Sequence, residues 1–226
     1  MLLSVMVEGQ EDVTWPNWRA LAETAQRLGY TGLYRSDHYL SVVGREERGA
    51  LDAWGTICAL GPITERIRLG TVVSPASFRH PSILAKLVVT ADHVSRGRAE
   101  LGLGAGWLEE EHLRYGFPFL PVGERFDVLE EQLEIITRSW AGKPFSFHGA
   151  HYAIEQLDAL PTALQDPRPL LRVGGRGKRA ASRSPPASPT STTPSTSRRR
   201  SARRSARRST TPASPPAATP PTCRCR

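Results

Sequence analysis

The chain has 226 residues, a formal net charge of +8 and 23% charged residues, a length that accommodates one hydrophobic core and few more. The positive charge does not describe the whole chain. Residues 179–226 contribute 11 Arg and no acidic residue, and without them the formal charge falls from +8 to −3, so the body carries no electrostatic signature of a nucleic-acid or anionic-membrane binder.

Leu2 to Val7 reads as a first strand, too short an apolar run for a secretory core and without a basic region before it. No run of about 20 apolar residues follows, so no membrane span is expected. Cys58 is the single cysteine of residues 1–178, which suggests neither a disulfide framework nor a zinc site and fits a reducing, cytoplasmic setting. Pro16 suits a helix start, and Trp18, Leu21, Ala22, Ala25 and Leu28 then share one helical face that Gly29 ends. Gly32 to Arg35 is a second strand, Leu51 to Leu60 a helix, and Ile67 to Val73 a third strand. Pro81 opens a helix whose stripe is Ile83, Leu84, Leu87, Val88, Ala91 and Val94. Ala99 to Leu103 is a fourth strand. Phe126, Leu129, Leu133, Ile136 and Trp140 mark a long helix, Phe145 to Ile154 a hairpin turned at His148 and Gly149, and Leu170 to Val173 a fifth strand.

Repeated strand–helix units predict an α/β fold with a parallel sheet, either an open doubly wound sheet or a closed eight-stranded barrel. Polar and glycine-rich segments follow each strand: Ser36-Asp37-His38 after the second, Thr71 to Pro75 around the end of the third, Gly104 to Trp107 after the fourth and Gly174 to Gly177 after the fifth. Both architectures bind ligands at that end of the sheet. His38 is the candidate for proton transfer near neutral pH, and Asp37 beside it is a candidate to fix its tautomer or meet a ligand ring nitrogen; the pair would equally serve to cap a loop. Gly104, Ala105 and Gly106 let backbone approach a ligand, and Gly174 and Gly175 would aim amides at a phosphate, although glycine is also the default for a tight turn. Glu109, Glu110 and Glu111 form a charge run at a helix start, ordinarily a solvated face that complements the helix dipole, with Glu110 kept as a candidate ligand contact. His80, His93 and His112 lack partners at metal-ligand spacing and read as structural. Cys223 and Cys225 form a CxC with no second pair, so no metal site is expected.

The body resembles the luciferase-like flavin and deazaflavin oxidoreductases, which are TIM (β/α)8 barrels. The resemblance rests on LGYTGLYRSDH from Leu28, LDAWGTICALGPITERIRLGTVVSP from Leu51, FRHPSILAKLVVTADHVSRGRAELGLGAGWLEEE from Phe78, and the later ERFDVLEEQLEII and LLRVGG. It covers nearly all of residues 1–178, and within the family the branch that uses coenzyme F420 is the most similar. The resemblance implies hydride transfer between F420 and a small organic substrate, with FMN-dependent oxygenation as the alternative. It implies that Asp37 and His38 lie against the deazaflavin and that a cis peptide near Val72 and Val73 props the ring, with Ser74 beside it. Ala105, Gly106, Glu110, Gly174 and Gly175 complete the implied coenzyme contacts. Many relatives are homodimers. In the sugar-phosphate dehydrogenase branch a carboxylate follows the glycine turn directly; Trp107 stands there in this chain, which argues against glucose 6-phosphate as substrate.

Residues 179–226 use six amino-acid types only: Arg, Ala, Ser, Pro, Thr and Cys. All their codons carry C or G at the second base, the pattern expected when a GC-rich gene is read out of frame. A reading-frame slip after Lys178 is therefore expected; the other reading is a genuine disordered basic tail in which Arg198 to Arg208 contacts nucleic-acid phosphates or other polyanions without sequence preference. In the family, the double-glycine strand is the fifth of eight. The domains expected are thus a partial barrel of about five strands over 1–178 and a disordered tail over 179–226, which puts catalysis by the chain as written in question.

Overall fold

Strands and helices alternate through residues 2–174, the part of the chain that the computed structural model describes. β1 (Ser4–Val7) leads into α1 (Trp15–Arg27), whose start is fixed by Pro16 in the first turn and by a capping box between Thr14 and Asn17. Gly29, at φ +79°, takes the chain out of that helix into β2 (Gly32–Arg35). α2 (Ala53–Leu60) begins two residues later than its apolar run because Asp52 caps it, its Oδ1 accepting the Gly55 N–H at 2.7 Å. β3 (Arg68–Thr71), β4 (Ser74–Pro75), α3 (Pro81–Val94), β5 (Ala99–Gly104), α4 (Glu109–Tyr115) and α5 (Val122–Ser139) follow. β6 (Phe145–His148) and β7 (Ala153–Leu157) form an antiparallel hairpin, and β8 (Leu170–Gly174) returns to the main sheet.

The main sheet is parallel throughout, in the order β1-β2-β3-β5-β8, with the short β4 also pairing β5. Its register shows one irregularity. Gly70 stands opposite Glu100, yet Ser74 stands opposite Leu103, so four steps along β3–β4 match three along β5. One extra residue is accommodated there, the count that defines a bulge, and the Val72–Val73 peptide within it is cis. The third strand expected as one run from Ile67 to Val73 is accordingly two short strands either side of the valines. The hairpin turn spans residues 149–152 rather than His148 and Gly149, closed by Gly149 N–H to the Tyr152 carbonyl at 2.9 Å.

Alternation along the strands divides the sheet into two faces. Leu33, Leu69, Leu101, Leu103 and Leu171 point to the helix-covered face and are buried, with Val5, Val7 and Val173 packed against them. Trp18, Ala22 and Ala25 of α1, Trp54 and Ile57 of α2, Leu84 and Val88 of α3 and Leu129 and Ile136 of α5 cover that face. Each leucine so buried contributes roughly 1.5–3 kcal/mol. The opposite face carries Tyr34, Glu100 and Arg172, joined by Tyr34 Oη–H to Glu100 Oε2 at 2.8 Å and Arg172 to the same oxygen at 2.7 Å. Arg68 reaches the other oxygen of Glu100 at 3.1 Å. Among the described residues no helix is long and apolar enough to cross a membrane. Gly175, the expected tail and the proposed frame slip lie outside the described residues.

Candidate active site

The face opposite the helices opens, at the carboxyl ends of the strands, into a cavity of about 520 Å³. Its walls follow from strand parity. β1 contributes Met6, the residue just after β1 Glu8, the segment following β2 Ser36 and His38, the bulge Val72, Val73 and then Pro75, β5 and its loop Gly104 to Trp107, and β8 Gly174. Val122, Arg125 and Phe126 close it from α5. Arg125 donates to the Gly106 carbonyl at 2.6 Å and lies 4.2 Å over the Phe119 ring, which ties the glycine loop to that helix. A second space of about 250 Å³ lies behind Ala105 and Arg125, bounded by Ser77, Leu120, His151 and Tyr152.

His38 is the polar group best placed for chemistry. Its side chain is 12% exposed, and Nδ1 lies 2.8 Å from Oε2 of Glu111, a fully buried carboxylate on α4. Glu111 Oε1 accepts the backbone N–H groups of Tyr39 at 2.5 Å and Leu40 at 3.1 Å. Those three donors meet the hydrogen-bonding needs of a charge that would otherwise be costly to bury. A carboxylate only accepts, so Nδ1 carries the proton, and in the neutral ring Nε2 is a lone-pair acceptor with no partner among the described residues. Trp107 meets the imidazole edge-on, 5.8 Å between centroids at 76°.

Asp37 does not fix His38. Successive residues on an extended chain point to opposite sides, so Ser36 and His38 face the cavity while Asp37 faces the helices, 1% exposed. There it accepts from Arg79 at 2.5 Å and from Ser74 Oγ at 2.6 Å. Burial alone would lower the Arg79 pKa, but the charge and hydrogen bond of Asp37 outweigh it, and the guanidinium is held above its ordinary value. Arg79 also reaches Asp52 at 2.8 Å and the Tyr39 hydroxyl at 2.9 Å. Burial, with Asp37 and Asp52 nearby, raises the Tyr39 phenol in turn. Ser74 is fully buried and accepts the Trp54 indole N–H at 3.2 Å. Asp37 and Ser74 therefore belong to the buried polar layer behind the cavity. Glu110 is also off the wall, paired with Arg114 at 2.6 Å on the outer side of α4.

Of the expected contact residues, the structure brings His38, Val72, Val73, Ala105, Gly106 and Gly174 onto one wall. The floor beneath them is shaped by absent side chains. A Cβ added to Gly104 would come within 2.8 Å of Val73 Cγ2, and one added to Gly174 within 2.7 Å of Val73 Cγ1. Glu8 and Arg125, which line the cavity, were not among the expected residues, and Glu111 was weighed no more heavily than Glu109 and Glu110. Glu111 and His112 are the buried pair of α4, whereas Glu109, Glu110 and Tyr115 are exposed, and nothing in the run of three glutamates singles out Glu111 before the helix is placed against its neighbours. The histidines expected to be structural are engaged with backbone or side-chain partners: His80 with Ser82, His93 with the Thr162 carbonyl, and His112 with the Leu108 carbonyl and Ser77.

Comparison with known proteins places this geometry in context. The uncharacterized protein Rv0953c of Mycobacterium tuberculosis is 35% identical over 127 residues, covering 56% of this chain and 44% of that protein. An F420-dependent glucose-6-phosphate dehydrogenase of Microbacterium testaceum is 35% identical over 133 residues, 58% of this chain and 39% of that protein. The alignments thus span less than half the length of these relatives. An F420-dependent secondary alcohol dehydrogenase, solved with an F420-acetone adduct, superposes with a TM-score of 0.71 at 20% identity over 80% of this chain and 54% of that one. The FMN-bound oxygenating constituent of 3,6-diketocamphane monooxygenase from Pseudomonas putida does so with a TM-score of 0.61 at 20% identity, over 76% of this chain and 50% of that one. Both likenesses establish the α/β barrel fold alone. Residues 3–215 match the luciferase-like monooxygenase family, and the chain belongs to it.

Proposed function

We propose that the cavity seats the deazaflavin of coenzyme F420 and that the protein transfers hydride between that coenzyme and a small organic substrate. The observation that carries the proposal is His38, oriented by buried Glu111 and presenting an Nε2 without a partner among the described residues to an otherwise largely apolar cavity. The cavity residues fit a planar ring. Val72 and Val73 offer an apolar surface, and Gly104 and Gly174 leave the space around Val73 that a side chain would fill. Bound F420 would supply or accept the hydride. His38 Nε2 would take the proton of an alcohol as it is oxidised, or return one to a carbonyl as it is reduced, while Glu111 holds the ring and balances the imidazolium. Trp107 and Phe126 would exclude water from the reacting face.

The name of the Microbacterium relative supports the choice of F420. Trp107, at the position where the sugar-phosphate branch carries an acid, supports a substrate other than glucose 6-phosphate. FMN is the second reading, favoured by the FMN-bound structural neighbour. Titration of the protein with F420, followed by the coenzyme's fluorescence, and in parallel with FMN separates the two. Saturable F420 binding that is weakened by His38→Ala and Gly174→Ala is the expected result; binding of FMN alone would reverse the assignment. The reading-frame proposal has its own test: translation of the coding DNA in the other frames beyond Lys178 should yield an Ala- and Leu-rich helix followed by a strand.

A further inference from the structure

Glu8 is the only carboxylate among the described residues that line the cavity, and nothing in the proton chemistry of His38 uses it. It follows the last residue of β1 and stands beside Ser36, since Val7 is in register with Arg35 and the Ser36 N–H donates to the Val7 carbonyl at 3.1 Å. His38 is one inward position further along. A glutamate at a strand end is ordinarily a solvated side chain with many rotamers. This one is exposed as well, but one of its oxygens is held from behind. Gln10, fully buried, donates from Nε2 to Glu8 Oε2 at 2.8 Å. The Gln10 carbonyl oxygen accepts from Ser36 Oγ, which itself accepts the Gly9 N–H at 3.1 Å. The chain of bonds runs Gly9, Ser36, Gln10, Glu8, and every link before the last is buried. The buried side-chain amide thus has both ends satisfied, and its donor end fixes one carboxylate oxygen. The other oxygen, Oε1, has no partner among the described residues, and Glu8 lines the cavity.

We infer that Glu8 is a specificity-determining residue that accepts a hydrogen bond from a hydroxyl of a neutral, otherwise apolar substrate. The inference rests on the reading of the cavity as a substrate site. Met6, Val72, Pro75, Trp107 and Phe126 line the same cavity and suit a hydrocarbon skeleton. A fixed acceptor among apolar walls rejects an analogue of the same shape that has no proton to donate, because the acceptor is then desolvated without a partner. The hydroxyl bound by Glu8 is separate from the proton that His38 handles.

Tryptophan fluorescence offers a binding readout, since Trp107 stands on the wall with 62% of its surface exposed. The full chain is titrated with cyclohexanol, with methoxycyclohexane, which lacks the donor, and with cyclohexylammonium, which carries a charge. The wild type should prefer cyclohexanol over the ether by about 10-fold, the size expected of one hydrogen bond to a charged acceptor. Glu8→Leu should remove the preference and Glu8→Gln should reduce it. F420 binding is followed on the same samples by coenzyme fluorescence. If F420 binds and Glu8→Leu leaves the preference intact, or the wild type shows none, the assignment of Glu8 is overturned while the coenzyme reading stands. If F420 fails to bind, the coenzyme reading falls and the alcohol preference still decides the role of Glu8. Tighter binding of the ammonium than of the alcohol overturns the neutral-hydroxyl assignment.

Discussion

Replacing Glu111 with Gln preserves shape and removes one charge, which makes it the most informative single change at this site. The carboxylate accepts three hydrogen bonds in a fully buried position, from His38 Nδ1, Tyr39 N–H and Leu40 N–H. A glutamine amide has one acceptor oxygen and one donor nitrogen. The two backbone donors share Oε1, so they claim the amide oxygen, and the NH2 group is left facing His38 Nδ1. Two donors cannot meet, and the imidazole relieves the conflict by moving its proton to Nε2. The atom that faces the cavity then donates where it formerly accepted, the wrong tautomer for removing a proton. The loss of one charge-assisted bond costs about 1.5–3 kcal/mol of stability. Loss of an oriented base lowers a proton-coupled rate by roughly 10²–10⁴-fold near neutral pH. Heteronuclear NMR of the imidazole nitrogens reads the tautomer without requiring turnover, and thermal melts read the stability. An unchanged His38 tautomer in Glu111→Gln, with a melting temperature equal to the wild type, would refute the reasoning whatever the effect on rate.

The Tyr34 phenol is pushed up to about 12, first by burial and then by the neighbouring Glu100 charge. A raised value means that its stabilising contribution is complete below the ordinary 10.0 and is lost as pH climbs from there towards 12. Tyr34→Phe should therefore be less stable at neutral pH by about 1 kcal/mol and should lack that alkaline loss; identical alkaline limbs in denaturation against pH would contradict this. Asp52 is the converse case: burial tends to raise it, yet the Gly55 N–H, Arg79 and the Tyr39 hydroxyl together hold it below 3.8. Its contribution is present above that value and disappears as pH falls through the lowered one, so the stability gap between wild type and Asp52→Asn should shrink in acid, and a gap independent of pH would argue against the pairing. Gly174→Ala places a Cβ 2.7 Å from Val73 Cγ1 and should cost about 1–3 kcal/mol together with weaker F420 binding, whereas a neutral effect on both would mean that the floor of the cavity is not set by this contact.

The strands were legible from short-range periodicity, and the end of the sheet that carries the cavity from the rule that parallel α/β sheets bind at their carboxyl ends; the pattern alone left an open sheet and a closed barrel both standing. Five apolar runs became the five long parallel strands, and Pro16, Gly29 and Pro81 marked helix limits at or near their structural ones. Less legible was which member of a run faces inward. Asp37 and His38 are adjacent in sequence and point to opposite sides of the sheet, so the expectation that they act together failed on parity. The partner that His38 does have lies 73 residues away, in a triple glutamate whose members look alike until helix phase separates them. Ser74 was expected beside the ring from the resemblance alone. The added residue near Val72 and Val73 instead turns it towards Trp54.

That added residue also decides what kind of change the site tolerates. An uninterrupted strand would alternate Val72 inward, Val73 outward and Ser74 inward; with the insertion both valines and Pro75 line the cavity, and Ser74 enters the polar layer behind it. Substituting either valine alters the surface of the wall and leaves every neighbour facing as before. Deleting either one reverses the phase of all that follows in the strand: a serine hydroxyl swings into the apolar chamber, a proline ring is driven into the helix layer, and Asp37 and Trp54 lose the partner they share. The segment is thus permissive in spelling and strict in counting, and length variation here would act on the whole site at once.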